Sequence, residues 1–287
     1  MTPKCAAQHF GPWMVETNWF RQAIDAYRAG RMQPVFASEI DARYSYGVFD
    51  GCAILPIVGQ MTKGDSSFGG VSTVRVRQAL REAMADPSIR SILLHIDSPG
   101  GTVAGTGELA TDVAKVNTIK PVYSQIADFG ASAAYWVASQ ARKIYANATA
   151  MVGSLGTILV VDDSSGAADA AGVKVHVVTT GPYKATGTEG TRVTDDHLEY
   201  LQGLVDDLNS HFKAGVRSGR GLTLAATEAL FDGRVHVAAK AQELGLLDGV
   251  QSMEDTMAMI QRRHKVEDSR TRRAKAEVAI RSMELDL

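Results

Sequence analysis

Short apolar runs alternate with helix-like patterns through the middle of the chain, and this alternation restricts the fold more than any other feature. Ile92–Ile96, Val122–Ala127 and Lys143–Ala146 read as buried strands, being brief and rich in large apolar residues. Val103–Val116 and Ala133–Ala141 lie between them and read as helices. Farther on, Leu155–Val161 and Val173–Val178 repeat the strand pattern around an Ala-rich helix at Ala167–Ala171. Such repetition predicts an α/β fold with a mainly parallel sheet and crossover helices.

The flanking segments are simpler to place. Tyr46–Phe49 and Cys52–Val58 enclose Asp50-Gly51, a strong hairpin signal. Gly59–Gly70 is a Gly/Ser/Thr-rich connection, expected to be mobile. A helix follows with Val76, Ala79, Leu80, Ala83 and Met84 on one face, ending at Asp86-Pro87. Near the start, Thr17 can cap a helix striped by Phe20, Ala23, Ile24 and Tyr27 and stopped by Gly30. Thr194 opens a long helix with Leu198, Leu201, Val205, Leu208 and Phe212 in one stripe. Ala225–Leu230 and Val237–Leu244 are shorter helices. From Gln261 the chain is dominated by charge and reads as a solvated helix or a disordered tail. The expected division is a helical arm (1–43), a central domain (44–255) and a charged tail (256–287).

Composition removes several function classes. A net charge of −2 exerts no general pull on nucleic acid or an anionic membrane. No run approaches the roughly 20 apolar residues of a membrane span, and Met1–Phe10 lacks the apolar core of a signal peptide. Cys5 and Cys52 form no metal or redox spacing, so a reducing compartment is expected. The reading is a cytoplasmic protein without metal, nucleic acid or membrane partner.

Chemistry concentrates at the predicted strand ends. Gly130-Ala-Ser-Ala-Ala-Tyr-Trp136 joins a strand to a helix through small residues, a turn that presents Ser132 and free N–H groups at the helix start. Ser132 reads as a nucleophile or simply as a helix cap. Asp97-Ser-Pro-Gly-Gly101 ends another strand, on the edge where open α/β sheets gather their sites. The N–H of Gly101 could join that of Ala133 in holding the oxygen of a tetrahedral intermediate, although the segment also reads as an ordinary turn. A nucleophilic serine needs a base. His95 and His176 lie inside predicted strands, and His197 and His211 on the long helix, so none is placed for the task. Lys184, in Gly181-Pro-Tyr-Lys184 after a predicted strand, can reach the same edge. A lysine acts as a base only when neutral, which requires surroundings that penalise its charge. The alternative is an exposed loop lysine.

These three segments, with Gly153-Ser-Leu-Gly156, occur in one order and at one spacing that resemble the signal peptide peptidase A family, from about Ile54 to Val250. The resemblance includes the closing Gly233-Arg-Val and Ala241-Gln-Glu-Leu-Gly-Leu-Leu-Asp248 segments. It implies the Clp protease/crotonase-like fold and a serine endopeptidase with no cofactor. By the family pattern Ser132 is the nucleophile, Lys184 the base, Ser154 the residue orienting the lysine, and Gly101 an oxyanion-hole residue. Ser132 is followed here by Ala-Ala where the family usually has Gly-Gly, which narrows the space above the nucleophile.

The hairpin Val48–Pro56, Asp97–Gly105 and the lack of a membrane span look most like the phage branch of the family, whose members process scaffold and capsid proteins. That resemblance implies a capsid or scaffold substrate, a ring-shaped homo-oligomer, and a place in the host cytoplasm or prohead. A general or signal-peptide peptidase of the same family is the near alternative. A crotonase-like acyl-CoA enzyme, which would need carboxylates facing the oxyanion hole, and a non-catalytic scaffold module are the distant ones.

Overall fold

The structure, a computed structural model, describes residues 12–17, 21–22, 25, 45–66 and 69–285. Its strands are β1 (Trp13–Val15), β2 (Gly47–Phe49), β3 (Cys52–Val58), β4 (Met61–Thr62), β5 (Val71–Ser72), β6 (Ser91–Ser98), β7 (Gly100–Thr102), β8 (Val122–Ala131), β9 (Lys143–Ala146), β10 (Met151–Gly153), β11 (Val235–Val237) and β12 (Gly249–Val250). Its helices are α1 (Thr73–Ala85), α2 (Thr106–Ile119), α3 (Ala133–Ala138), α4 (Ser165–Ala170), α5 (Asp195–Arg220), α6 (Leu224–Leu230), α7 (Ala238–Glu243) and α8 (Met253–Leu285).

β6 lies at the centre of the larger sheet, parallel to β3 on one side and to β8 on the other. Alternation along β6 sends its side chains to two faces. Ile92, Leu94 and Ile96 join the main core with Val76 and Leu80 of α1 and Leu109 and Val113 of α2. Leu93 faces the other way and packs with Cys52, Tyr123, Met257 and Ile260, the last two from the start of α8. The mainly parallel sheet with helices on both faces is the Clp protease-like fold.

β8 changes neighbours along its length. Tyr123–Ile126 pairs with β9, and Phe129–Ala131 pairs with β10. The pairing with β6 slips between Ile96 and Ser98, a bulge that turns the last residues of β8. Asp97 stabilises the bulge by accepting a hydrogen bond from the Phe129 N–H at 3.1 Å. A second, small sheet in the order β1-β7-β4-β5 stands where β6 ends.

Several sequence expectations change here. Gly59–Gly70 contains β4, whose two residues are buried. The predicted helix at Val103 begins at Thr106, because Gly100–Thr102 is drawn into the small sheet as β7. Leu155–Val161 and Val173–Val178 are not strands. Ile158 alone bridges to Trp13, and Val178 is fully exposed. The first run touches the β1 edge at that single bridge, Val173–Val178 pairs with no strand among the described residues, and β-branched residues favour a strand only when there is one to pair with. Accordingly His176 is exposed, and His95 is half-buried on β6. The apolar stripe predicted after Thr17 lies outside the described residues. The charged tail is helical and its first turns are docked. His264 is buried, with Nδ1 at 3.2 Å from the Asp50 carbonyl oxygen and Nε2 at 2.9 Å from Ser91 Oγ. A carbonyl only accepts, so Nδ1 carries a proton.

The end of α5 is tied down by Asp248. Its carboxylate takes bonds from Lys143 Nζ (2.7 Å), Arg220 Nη1 (2.8 Å) and the Ile144 N–H (2.9 Å). Burial opposes the charge, but the Lys143, Ile144 and Arg220 donors outweigh it and hold the carboxyl below the usual range. A depressed carboxylate contributes stability above its unfolded pKa, about 4, and loses it as pH falls through the lower folded value. Asp248→Asn should therefore lower stability by about 1.5–3 kcal/mol at pH 7 in urea unfolding, a difference that shrinks at pH 3 and below.

Candidate active site

Ser132 stands where β8 becomes α3, and its backbone is forced. At φ 54° and ψ −119° it occupies a region that a side chain disfavours. Such strain costs on the order of 1–3 kcal/mol and persists only where the surroundings over-determine it. The Ser132 N–H donates to the Gly153 carbonyl at 2.8 Å, and the Ser132 carbonyl accepts from the Trp136 N–H at 3.0 Å. The tight turn aims the side chain out of the strand end while α3 starts at once.

All six residues of α3 are buried. Tyr135 Oη donates to the Leu246 carbonyl at 2.8 Å, and burial pushes its phenol pKa up. Trp136 stacks on Phe212 of α5 with ring centroids 5.2 Å apart. A side chain at Gly215 would collide with the Trp136 indole, and one at Gly219 with the Ser139 carbonyl. Two glycines one helical turn apart thus let α5 lie directly on the helix behind Ser132.

β10 brings in the second serine. Because Ala131 is paired with Gly153, Ser132 and Ser154 follow adjacent parallel strands at the same level. Ser154 is buried, has φ 49°, and donates its N–H to the Arg234 carbonyl at 2.7 Å. Ser132 Oγ lies 3.5 Å from the Gly156 carbonyl oxygen just beyond.

β7 closes the site from the small sheet. Any side chain on Gly101 would run into the Met61 carbonyl, and one on Gly100 into the Met14 carbonyl and, at 3.0 Å, Ser132 Cβ. Gly100 also has φ 102° and spends its N–H on Ser98 Oγ at 3.2 Å. The double glycine is therefore required by close approach, and it sets β7 against the Ser132 turn at Gly100. Ala133 opens α3, so its N–H has no acceptor within the helix.

Ser132, Ala133, Ser154 and Gly101 are gathered in this way, and Lys184 is not among them. It is exposed, in a turn closed by its own N–H to the Gly181 carbonyl at 3.2 Å. Among the described residues no hydrogen bond joins its ammonium to Ser132 or Ser154. The adjacent Tyr183 packs on Tyr200 of α5 at 5.0 Å. Asp97, which the sequence placed only in a turn motif, supports the bulge leading to Ser132. Its position directly after an apolar run was the available signal.

The match to the family described as peptidase family S49 covers residues 114–267, more than half of the chain, and includes this turn. The chain belongs to peptidase family S49. That family is of the serine type, in accord with a serine held at the centre of the constellation. Among the relatives of this S49 chain is the capsid assembly protease C of Escherichia phage lambda, 30% identical over 223 residues, 75% of this chain and 50% of the relative. The head-tail preconnector protein GP5 of Enterobacteria phage P21 is 29% identical over 244 residues, 82% of this chain and 46% of the relative. Protease 4 of Salmonella typhi is 25% identical over 213 residues, covering 72% and 33%. The chain thus spans about half the length of the phage relatives it matches, and less of the bacterial one.

The forced backbone at Ser132 makes a stability prediction. Glycine tolerates that φ and alanine does not, so Ser132→Gly should be more stable than Ser132→Ala by about 1 kcal/mol, or about 2–4 °C in thermal unfolding. Equal melting temperatures would mean that the turn is not strained.

Proposed function

We propose that this S49 chain is a serine endopeptidase with Ser132 as nucleophile and Lys184 as base, the lysine being supplied by a neighbouring subunit of a ring-shaped homo-oligomer. The observation that carries the reading is the strained strand-to-helix serine, with β7 packed against it at Gly100; in this reading the N–H groups of Gly101 and Ala133 are the oxyanion donors. Lys184 Nζ takes the Ser132 proton as Oγ attacks a peptide carbonyl, and the two N–H groups bind the resulting oxyanion. Collapse forms the acyl-enzyme while the lysine passes its proton to the leaving amine. Water then attacks with Lys184 again as base, releasing the acid and restoring Ser132. Ser154, level with Ser132, orients the incoming lysine.

Sharing the dyad between subunits is supported by what one chain leaves uncovered. The segment bearing Lys184 includes the exposed Val173, Val175, Val177 and Val178. The stripe of α5 is buried only at Phe212, while Leu198 stays exposed. An exposed lysine keeps its charge hydrated, and an apolar neighbour would remove that hydration.

The substrates are proposed to be capsid or scaffold proteins of a phage head, on the strength of the relative named as a capsid assembly protease. No helix among the described residues is long and apolar enough to cross a membrane. The proposed place of action is the host cytoplasm or the prohead.

Ser132→Ala and Lys184→Ala should each lower peptide hydrolysis by about four orders of magnitude or more. Ser154→Ala should lower it less. Co-refolding equal amounts of the first two variants should restore roughly a quarter of wild-type activity if neighbouring subunits share a site. Mixed oligomers, confirmed by mass spectrometry, that stay inactive would overturn the shared dyad. Incubation with a phage scaffold or capsid protein, followed by sequencing of new termini, tests the substrate.

A further inference from the structure

We propose that β1 occupies the peptide channel of this site and competes there, in cis, with substrate. The inference rests on the peptidase reading above, and its physical basis is backbone pairing on both edges of a three-residue strand.

On one edge β1 runs antiparallel to β7, with Met14 opposite Gly101. The Glu16 N–H donates to the Pro99 carbonyl at 2.7 Å, and the Val103 N–H donates to the Pro12 carbonyl at 3.4 Å. In an antiparallel ladder hydrogen-bonded pairs recur at every second residue, so Met14 and Gly101 are the bonded pair between these two. The Gly101 N–H is thereby directed at the Met14 carbonyl. That is the donor assigned above to the oxyanion.

On the other edge Trp13 and Ile158 exchange both backbone bonds, each at 2.8 Å. Ile158 lies two residues beyond Gly156, whose carbonyl approaches Ser132 Oγ. The Met14 carbonyl oxygen and Ser132 Cβ crowd the same point in space, the one a Gly100 side chain would need. Trp13, Met14 and Val15 are at most 3% exposed.

β1 is therefore an extended segment inserted between two backbone edges, with one carbonyl presented to the oxyanion donor beside the nucleophile. An extended peptide substrate captured by strand addition would use those same edges. The Gly101 N–H cannot serve Met14 and a substrate carbonyl together, so β1 must leave before substrate enters. Apparent affinity then falls in proportion to the fraction of molecules whose channel is open.

The test uses two full-length variants that weaken the seat of β1. Trp13→Pro deletes the N–H that bonds Ile158, and Met14→Asp places a charge at a dry position. Cooperative thermal melting checks their folding. In a Ser132→Ala background, binding of a fluorescein-labelled synthetic peptide reproducing residues 11–17 is measured with and without each change. Tenfold or greater tightening is expected in both. Unchanged affinity in folded variants overturns the proposal. So does failure of both variants to fold, since a displaceable occupant is not needed for the fold.

With Ser132 intact, kcat/KM for peptide hydrolysis should rise by the same factor. Tighter binding without hydrolysis by any chain would keep β1 as the occupant and remove the peptidase reading. Hydrolysis by the unaltered chain without tighter binding in the variants would do the reverse.

Discussion

The hydrogen bond from the Ser132 amide to the Gly153 carbonyl is the constraint on which the site depends. It is made one residue after the β8–β10 ladder ends, and it holds the chain in a conformation that serine does not choose by itself. The energy that maintains this strain comes from packing behind it. α3 is buried on every side, its indole ring is stacked on Phe212, and α5 approaches through Gly215 and Gly219. Asp248 fixes the far end of α5 by joining Arg220 to Lys143 and β9. A strained turn is thus supported by contacts distant in sequence, each of them ordinary in kind.

The small sheet supplies the opposing wall. Its strands are only two or three residues long, too short for a periodic pattern, and β7 and β4 were invisible as strands for that reason. What the sequence did show was the need for two glycines, and the close approaches of Met61 and Met14 explain it. β6, β8, β9, the first hairpin and α1 were legible because their apolar patterns are local and their ends are marked by turn residues. The capped start of α5 at Thr194 was legible on the same ground.

Two failures of reading run in opposite directions. Val173–Val178 has the composition of a strand, yet strand formation depends on a partner edge that the described residues do not provide. His264 sits in a charged stretch with nothing local to distinguish it, yet it is buried against Asp50 and Ser91 from far back in the chain. Composition reports what a segment prefers, and only tertiary contact decides whether it is met. The same limit applies to Ser132 and Lys184. Their order along the chain is plain, whereas the fold of one chain leaves Lys184 exposed and away from the buried Ser132.

α8 has a mechanical consequence of its own. Among the described residues, the last ion pair or hydrogen bond from α8 to another element or loop is Arg90–Asp268 at 2.9 Å, while the helix continues to Leu285. At 1.5 Å per residue, that leaves about 25 Å of helix past the last anchor. A helix of this kind transmits position and direction, unlike a flexible coil, which transmits only a maximum reach. Polypeptide leaving its far end would set out from a point fixed by the length of the rod, so adding or removing residues within α8 would both displace that point and rotate it, by about 100° per residue.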